Sequence, residues 1–122
     1  MSGRVSVQLP RDPSAPGLAR KALRDLEGDL DPGRLADVRL LVSELVTNGV
    51  KYGGNGPVRL DISTAGNRLR AEIVDQGKGF VPTRRDRRLD DVGGWGLHLV
   101  ERLTDRWGTR SGSTHVWFEI DL

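Results

Sequence analysis

The stretch that decides the fold is LVSELVTNGVKYGG, residues 41–54, which begins as an apolar helix and ends in a cluster of glycines. At about 100° per residue, the apolar side chains around it share one helical face. That face consists of Leu35, Val38, Val42, Leu45, Val46 and Gly49. Glu44 and Asn48 lie on the other side, about 40° from each other. The pattern predicts a helix over about 34–52 that carries an acid and an amide one turn apart.

Two interpretations of Glu44 and Asn48 are open at this point. The first is that they lie on the solvent side of the helix, where acids and neighbouring amides are common. The second follows from Leu40 and Leu41, which flank the pair and predict a narrow, half-covered polar face. Because burying unpaired polar groups costs free energy, a covered pair would need partners. A proton-accepting acid beside an oxygen that can bind a hard cation would suit a functional site.

The composition limits the classes of protein to consider. A chain of 122 residues indicates one domain, 1–122, with a core of its own. The absence of cysteine excludes disulfide frameworks, zinc ribbons and thiol nucleophiles, and favours a reducing cytoplasm. No segment resembles a leader or approaches the ~18 apolar residues of a membrane span, so we expect no membrane contact.

The charge balance argues against nucleic acid as a direct partner. Lys and Arg number 19 against 17 Asp and Glu, which leaves a formal charge of only +2. Aromatic residues make up 5% of the chain and do not alternate with basic ones, as they would on a base-stacking surface. The one local excess of base is RRDRR, residues 84–88, for which a solvated loop is the simplest interpretation.

The remaining periodicities predict the order of the elements. Alternation in RVSVQL predicts a strand, and Ser14 is placed to cap a following helix. The expected buried face of that helix consists of Leu18, Ala22, Leu23 and Leu26. Alternating runs at 58–62 and 69–73, joined by TAGN, predict a β-hairpin.

The last third of the chain predicts one more helix and two strands. Leu97, Val100, Leu103 and Trp107 fit one face of a helix in GGWGLHLVERLTDRWG, and GTRS and THVWFEIDL read as strands. The order β-α-α-β-β-loop-α-β-β predicts an α+β two-layer sandwich. We expect a mostly antiparallel mixed sheet with the helices on one face.

Glycines are concentrated in one part of the chain, since ten of the sixteen fall between Gly49 and Gly96. In VDQGKGF, Asp75 ends a predicted strand, and Gly77 and Gly79 let the backbone turn sharply beside a flat ligand. GGWGLHLV runs straight into a helix, where exposed N–H groups at the positive dipole end can hold phosphate. Each motif alone is also compatible with a plain turn. Neither is a Walker A loop or a dinucleotide fingerprint.

In this order the motifs resemble those of the Bergerat-fold (GHKL) ATPases, the superfamily of gyrase, the heat-shock chaperone ATPase, mismatch-repair ATPases and histidine kinases. LVSELVTNGVKYG looks like the N box, VDQGKGF like the first glycine box and GGWGLHLV like the second. Together with THVWFEIDL, they are most similar to the stand-alone anti-sigma-factor serine kinases of Gram-positive bacteria. Gly49, where alanine is usual, and KY after it depart from the commonest pattern.

The resemblance implies roles for three residues of the helix predicted over about 34–52. Asn48 would bind the Mg²⁺ that bridges the phosphates, and Glu44 would position or deprotonate the attacking hydroxyl of serine or water. Lys51, two turns beyond Glu44, would reach phosphate or remain solvated.

The resemblance also implies how the nucleotide would be held. Asp75 would accept a hydrogen bond from the adenine amino group, backed by Thr114. Gly77 and Gly79 would let adenine lie against the backbone. The phosphates would be wrapped at the head of the last helix by residues of the second glycine box, which are Gly94 and Gly96, with Leu97 beside them.

Residues 80–92 would form the ATP lid, and an arginine of RRDRR would then contact nucleotide or a partner. His98 and His115 are expected to be structural or exposed. Trp95 is expected to pack, or to cover the site.

The implied function is an ATP-binding anti-sigma factor that uses Mg-ATP to phosphorylate an anti-anti-sigma (STAS-type) protein, as a serine/threonine kinase. A sigma factor is the other expected partner, and a homodimer is a further expectation. Two alternatives remain open. One is a non-catalytic nucleotide-binding module that grips a protein partner. The other, less favoured because the lid is short, is the detached catalytic domain of a histidine kinase.

Overall fold

A computed structural model describes residues 3–52, 56–74, 94–109 and 115–122. Four helices and five strands make up this part of the chain, and their bounds, in chain order, follow. They are β1 (Gly3–Leu9), α1 (Ala15–Ala22), a 3-10 helix (Leu23–Asp29), α2 (Pro32–Tyr52), β2 (Val58–Ala65), β3 (Arg68–Val74), α3 (Gly94–Leu103), β4 (Arg106–Thr109) and β5 (Val116–Asp121).

The strands form one sheet in the order β1-β2-β3-β5-β4. Every strand pairing in the described ranges is antiparallel. The predicted hairpin is confirmed, with Gly66 and Asn67 between β2 and β3 and Gly66 at a φ of 61°, which glycine adopts readily. The sheet order places β3 beside β5, although α3 and β4 separate them in sequence.

One face of the sheet is buried under the helices. Alternate strand residues such as Leu60, Ile62 and Phe118 are almost completely buried, and α2 packs over β2 and β3 with Val38 and Val42 inside. The residues between them face the other way and are mostly polar or charged, with Trp117 of β5 among them. This is the predicted α+β two-layer sandwich. No helix in the described part of the chain combines the length and the apolar character needed to cross a membrane.

The apolar face predicted for the first helix is confirmed at Leu23 and Leu26, which are buried, and at Ala22, which packs against the core, but not at Leu18. Leu18 is 40% exposed, whereas Ala15 and Ala19 are fully buried and continue into the buried Leu23. Small side chains on this face let α1 lie close to α2.

Ser14 precedes helix α1, but its side chain forms no capping bond with the helix. Its hydroxyl and N–H donate to the carboxylate of Asp12, and these bonds lower the pKa of Asp12.

The prediction for Trp107 was wrong. Helix α3 ends at Leu103, and Trp107 lies in strand β4. The hydroxyl of Thr104 donates to the Val100 carbonyl at 2.5 Å, and the carboxylate of Asp105 accepts the Asp121 N–H at 2.7 Å. These two side chains satisfy backbone groups where the helix ends and the next strand begins. The helical spacing of Trp107 is therefore fortuitous.

The uncovered face of the sheet, here called the open face, carries a chain of ion pairs on its last three strands. Arg70 contacts Glu72 at 3.0 Å and Glu119 at 3.1 Å, and Arg106 contacts Glu119 at 2.8 Å. The hydrogen bond from Arg106 is the main reason that the pKa of Glu119 is lowered. The side chain of Trp117 lies on this face, with the Arg70 guanidinium carbon 4.6 Å from the ring centroid.

Replacing Gly108 with alanine should destabilise the protein. A Cβ atom there would lie 2.8 Å from Nε1 and 2.9 Å from two ring carbons of Trp117, so the ring would have to move away from its place beside Arg70. The expected loss is about 1–3 kcal/mol in the free energy of unfolding, typical of overpacking, measured by urea denaturation. Gly28→Ala is the matched control, because nothing lies within 4 Å of its added Cβ. Equal stability of Gly108→Ala and wild type would contradict the packing described.

Candidate functional site

The polar side chains of α2 fall into two groups. The hydroxyl of Ser43 donates to the Arg39 carbonyl at 2.8 Å, and that of Thr47 donates to the Ser43 carbonyl at 2.7 Å. Both hydroxyls are therefore satisfied by their own helix. The presence of Glu44 in the same apolar stretch has no such local explanation.

Glu44 and Asn48 lie at the edge of the core. Asn48 is only 9% exposed, and Glu44 is half-buried. Among the described residues, Glu44 forms no hydrogen bond and no ion pair. Leu41 is completely buried, but Leu40 is 43% exposed, so the prediction that leucines cover both sides holds on one side only. The carboxylate is therefore sheltered on one side and accessible on the other.

Helix α3 brings the second glycine box towards α2. The two helices pack against each other. Helix α3 begins at Gly94, so Gly94, Gly96 and Leu97 lie in its first turn. The first N–H groups of any helix lack partners within the helix and attract anions. The fold thus makes the predicted phosphate-binding helix a direct neighbour of the helix that carries Glu44 and Asn48.

The described ends of β3 and β5 lie next to each other, and the other predicted residues are close to these ends in the sequence. Ile73 of β3 pairs with Val116 of β5. Asp75 follows Val74 at the end of β3, and Thr114 precedes His115 at the start of β5. The four predicted residues of this region and the predicted lid lie outside the described residues, and so stay predictions. They are Asp75, Gly77, Gly79, Thr114 and the lid at 80–92.

The remaining candidates are placed as follows. Lys51 is exposed in the last turn of α2, and His98 is exposed on α3. His115 is buried, and its Nε2 lies 2.9 Å from Oε2 of Glu72, a contact that sequence reasoning missed. The local sequence does not predict this contact, because the contact requires β3 and β5 to be neighbours in the sheet.

The residues present on α2 fit a hard divalent cation bound together with phosphate. An amide oxygen and a carboxylate are suitable ligand types for Mg²⁺, and they stand one turn apart. The described residues contain no group of three or more acids and histidines that could hold a metal ion by themselves. An ion held here by Asn48 would therefore take other ligands from phosphate oxygens and water, as Mg²⁺ commonly does.

Comparison with known proteins agrees with this arrangement. The family model described as "Histidine kinase-like ATPase domain" matches residues 9–120. The chain belongs to this family of ATPase domains, as the ordered motifs predict.

Individual relatives carry more specific names. The chain is 26% identical to a protein named "Serine-protein kinase RsbW" from Listeria monocytogenes, over 86% of this chain and 78% of the relative. It is 27% identical to an "Anti-sigma F factor" from a Thermoanaerobacter species, over 71% of this chain and 69% of the relative.

A solved structure supports the fold. It contains the RsbU and RsbW domains of a Mycobacterium tuberculosis protein and superposes on 98% of this chain with a TM-score of 0.73 at 22% identity. The matched part is 32% of that longer chain.

Replacing Asn48 with alanine should weaken the binding of ATP in the presence of Mg²⁺. If Asn48 binds the Mg²⁺ that accompanies ATP, losing this ligand is expected to lower the affinity about tenfold or more, while binding without Mg²⁺ changes little. Isothermal titration calorimetry with a non-hydrolysable ATP analogue, with and without Mg²⁺, measures both values. Asn67→Ala, in the turn between β2 and β3, is the control. Equal Mg²⁺ dependence in Asn48→Ala and wild type would contradict the role of Asn48.

Proposed function

We propose that this protein is an anti-sigma factor with Mg-ATP-dependent serine/threonine kinase activity. It binds a sigma factor and phosphorylates an anti-anti-sigma protein of the STAS type, in the cytoplasm. The observation that carries the proposal is Glu44, a half-buried carboxylate with no partner among the described residues, one turn from the buried Asn48. The names of the RsbW and anti-sigma F relatives support the same function.

The proposed reaction transfers the γ-phosphoryl group of ATP to a serine hydroxyl. The serine oxygen forms a bond to the γ-phosphorus as the bond to the bridging oxygen breaks, and ADP leaves. Glu44 accepts the hydroxyl proton, for which its accessible side is suited. Asn48 would contribute its amide oxygen to Mg²⁺, which when bound would offset the negative charge of the phosphates.

The proposed nucleotide contacts follow the similarity to the family. Asp75 and Thr114 recognise the adenine, and Gly77 and Gly79 allow it to lie against the backbone. The triphosphate is held at the start of α3 by Gly94, Gly96 and Leu97, and Lys51 lies within reach of it. The packing of α2 on α3 and the pairing of β3 with β5 support this arrangement.

A basic concavity between α1 and α2, here called the basic groove, supports the binding of an acidic protein partner. It has a volume of about 510 Å³, and Arg20, Lys21, Arg24 and Arg39 line it. Lys21 and Arg24 are exposed and have no ion-pair partner in the described part of the chain. Exposed Leu18 lies in the same groove. Arginines beside an exposed leucine are typical of protein interfaces.

A residue that lines the basic groove also contacts the sequence neighbour of the proposed catalytic residue. Arg20 of α1 donates from Nη1 to the hydroxyl of Ser43 at 2.9 Å, and Ser43 directly precedes Glu44. Leu40, one turn before Glu44, is also exposed. A partner seated in the groove would therefore have part of its surface close to Glu44. The homodimer stays a prediction from the resemblance.

Glu44→Gln should abolish phosphoryl transfer and leave ATP binding nearly intact, because glutamine keeps the shape of the side chain but accepts no proton. Loss of a general base is expected to lower the transfer rate about 10²–10⁴-fold. The assay mixes purified protein, labelled Mg-ATP and a candidate STAS-type partner, and follows label on the partner.

Glu101→Gln, an exposed acid on α3, is the matched control for that assay. Transfer at the wild-type rate by Glu44→Gln would contradict the role of Glu44. Binding of ATP without transfer by the wild type would instead indicate a non-catalytic nucleotide-binding module. Binding that Asp75→Asn leaves unchanged would overturn the nucleotide site itself.

Reversing two charges in the basic groove should weaken the binding of the STAS-type or sigma partner without affecting ATP. Lys21→Glu with Arg24→Glu replaces two exposed cations, so the fold should be unaffected, and the Kd for the partner should rise about 10-fold or more. Surface plasmon resonance at two salt concentrations measures this change. Arg4→Glu, exposed on β1, is the control. Equal loss of affinity in both variants would indicate that overall charge, and not the groove, attracts the partner.

A further inference from the structure

We propose that Glu27 is an internal competitor for the basic groove, whose carboxylate occupies Arg39 until an acidic side chain of the STAS-type substrate takes its place. Glu27 thereby sets how tightly the substrate docks. This inference rests on the proposed function, since it assigns a regulating residue to the groove at which the protein partner binds.

The cations of the basic groove are held in different ways. Lys21 and Arg24 form no hydrogen bond and no ion pair with other described residues. Arg20 donates to a neutral hydroxyl, which leaves its charge without an acid to offset it. Arg39 differs, because its Nη2 lies 2.9 Å from Oε1 of Glu27. Within the described ranges, Arg39 is therefore the groove cation that a carboxylate already occupies.

The contact between Glu27 and Arg39 lies on the surface. The two side chains are 49% and 41% exposed, and neither side chain forms another hydrogen bond or ion pair with a residue that the structure describes. Exposed ion pairs contribute little to stability, because water solvates both charges once they separate. The carboxylate of Glu27 can therefore leave Arg39 without disturbing the core.

Glu27 is placed at the edge of the groove by the 3-10 helix (Leu23–Asp29). It lies three residues after Arg24, which lines the groove. Side chains three residues apart in a 3-10 helix lie on the same side of it. The carboxylate of Glu27 is therefore held on the side of the helix that faces the groove, in contact with Arg39.

The same contact shows which chemistry Arg39 recognises. Its guanidinium donates to a carboxylate oxygen, and an Asp or Glu side chain of a partner offers the same atoms. A partner with an acid at this position replaces Glu27 and gains the contact with Arg39. A partner with a neutral residue there leaves Glu27 in place and meets its negative charge. Glu27 thus makes the groove discriminate between proteins of equal net charge.

The position of the groove favours the STAS-type substrate as its occupant. Arg20 in the groove donates to the hydroxyl of Ser43, which directly precedes Glu44. A protein that is to be phosphorylated has to bring its serine to Glu44, whereas a sigma factor has no such requirement. We therefore assign the groove to the phosphorylated partner.

The test measures the Kd of the STAS-type protein that accepts label in the kinase assay above, by surface plasmon resonance. Glu27→Gln keeps the side-chain shape, removes the charge and should lower the Kd about twofold to fivefold, as expected when an exposed ion pair no longer competes. Asp25→Asn is the matched control. It removes an exposed acid of the same 3-10 helix that has no partner among the described residues, and it should change the Kd less.

A double-mutant cycle separates competition from a general effect of charge. In an Arg39→Gln background the competitor has no cation to occupy, so adding Glu27→Gln should tighten binding no more than adding Asp25→Asn does. The tightening in the single variant should also shrink as the salt concentration rises, because salt screens exposed pairs. Thermal unfolding of each variant, followed by circular dichroism, should change little.

The outcomes separate this proposal from the proposed function. An unchanged or raised Kd in Glu27→Gln would overturn the internal competitor alone, as would equal tightening in Asp25→Asn or tightening that persists without Arg39. Tightening of a sigma factor but not of the STAS-type protein would overturn the assigned occupant.

The remaining outcomes reach further. If Lys21→Glu with Arg24→Glu leaves the Kd unchanged, the groove is not the docking surface, and the internal competitor falls with it. A wild type that labels no STAS-type protein would overturn the proposed function and this inference together.

Discussion

Helix α2 has to bury one face against the sheet and hold two polar side chains at the edge of the same core. Burying a carboxylate without partners costs free energy, so such a residue persists where binding or chemistry compensates. Ser43 and Thr47 avoid the cost by bonding to their own helix. Glu44 has no such bond, and its position, half-buried beside the accessible Leu40, is the constraint from which the proposed site is built.

The rest of the fold places distant segments around that constraint. Helix α3, which begins within the second glycine box, packs on α2, the helix that carries Glu44 and Asn48. The strand order puts β3 next to β5, which brings together the strand ends that precede Asp75 and follow Thr114. On the outer side of α2, Arg20 joins α1 to Ser43, so a protein bound in the basic groove would lie near the same acid. Nucleotide and protein partner would therefore approach Glu44 from different sides.

Much of this could be predicted from local pattern. The buried face of α2 and the β-hairpin follow from periodicity, and the order of the boxes predicts the family to which the chain belongs. Features that depend on which helices and strands become neighbours in space could not be predicted in this way. Trp107 has helical spacing but lies in β4, because Thr104 and Asp105 end the helix first. Leu18 fits an apolar face, yet the close approach of α1 to α2 buries alanines instead. The Glu72–His115 contact and the basic groove exist only once strands and helices have packed.

The most direct test of the account is a crystal structure of the protein with Mg²⁺ and a non-hydrolysable ATP analogue. The account predicts the triphosphate between Asn48 and the start of α3, with Mg²⁺ bound by the amide oxygen of Asn48. It also predicts the adenine at the edge of the sheet where β3 ends and β5 begins. The chain offers a real alternative, because the basic groove could also attract phosphate through Lys21 and Arg24. A triphosphate bound there, with Glu44 and Asn48 remote from it, would contradict the account.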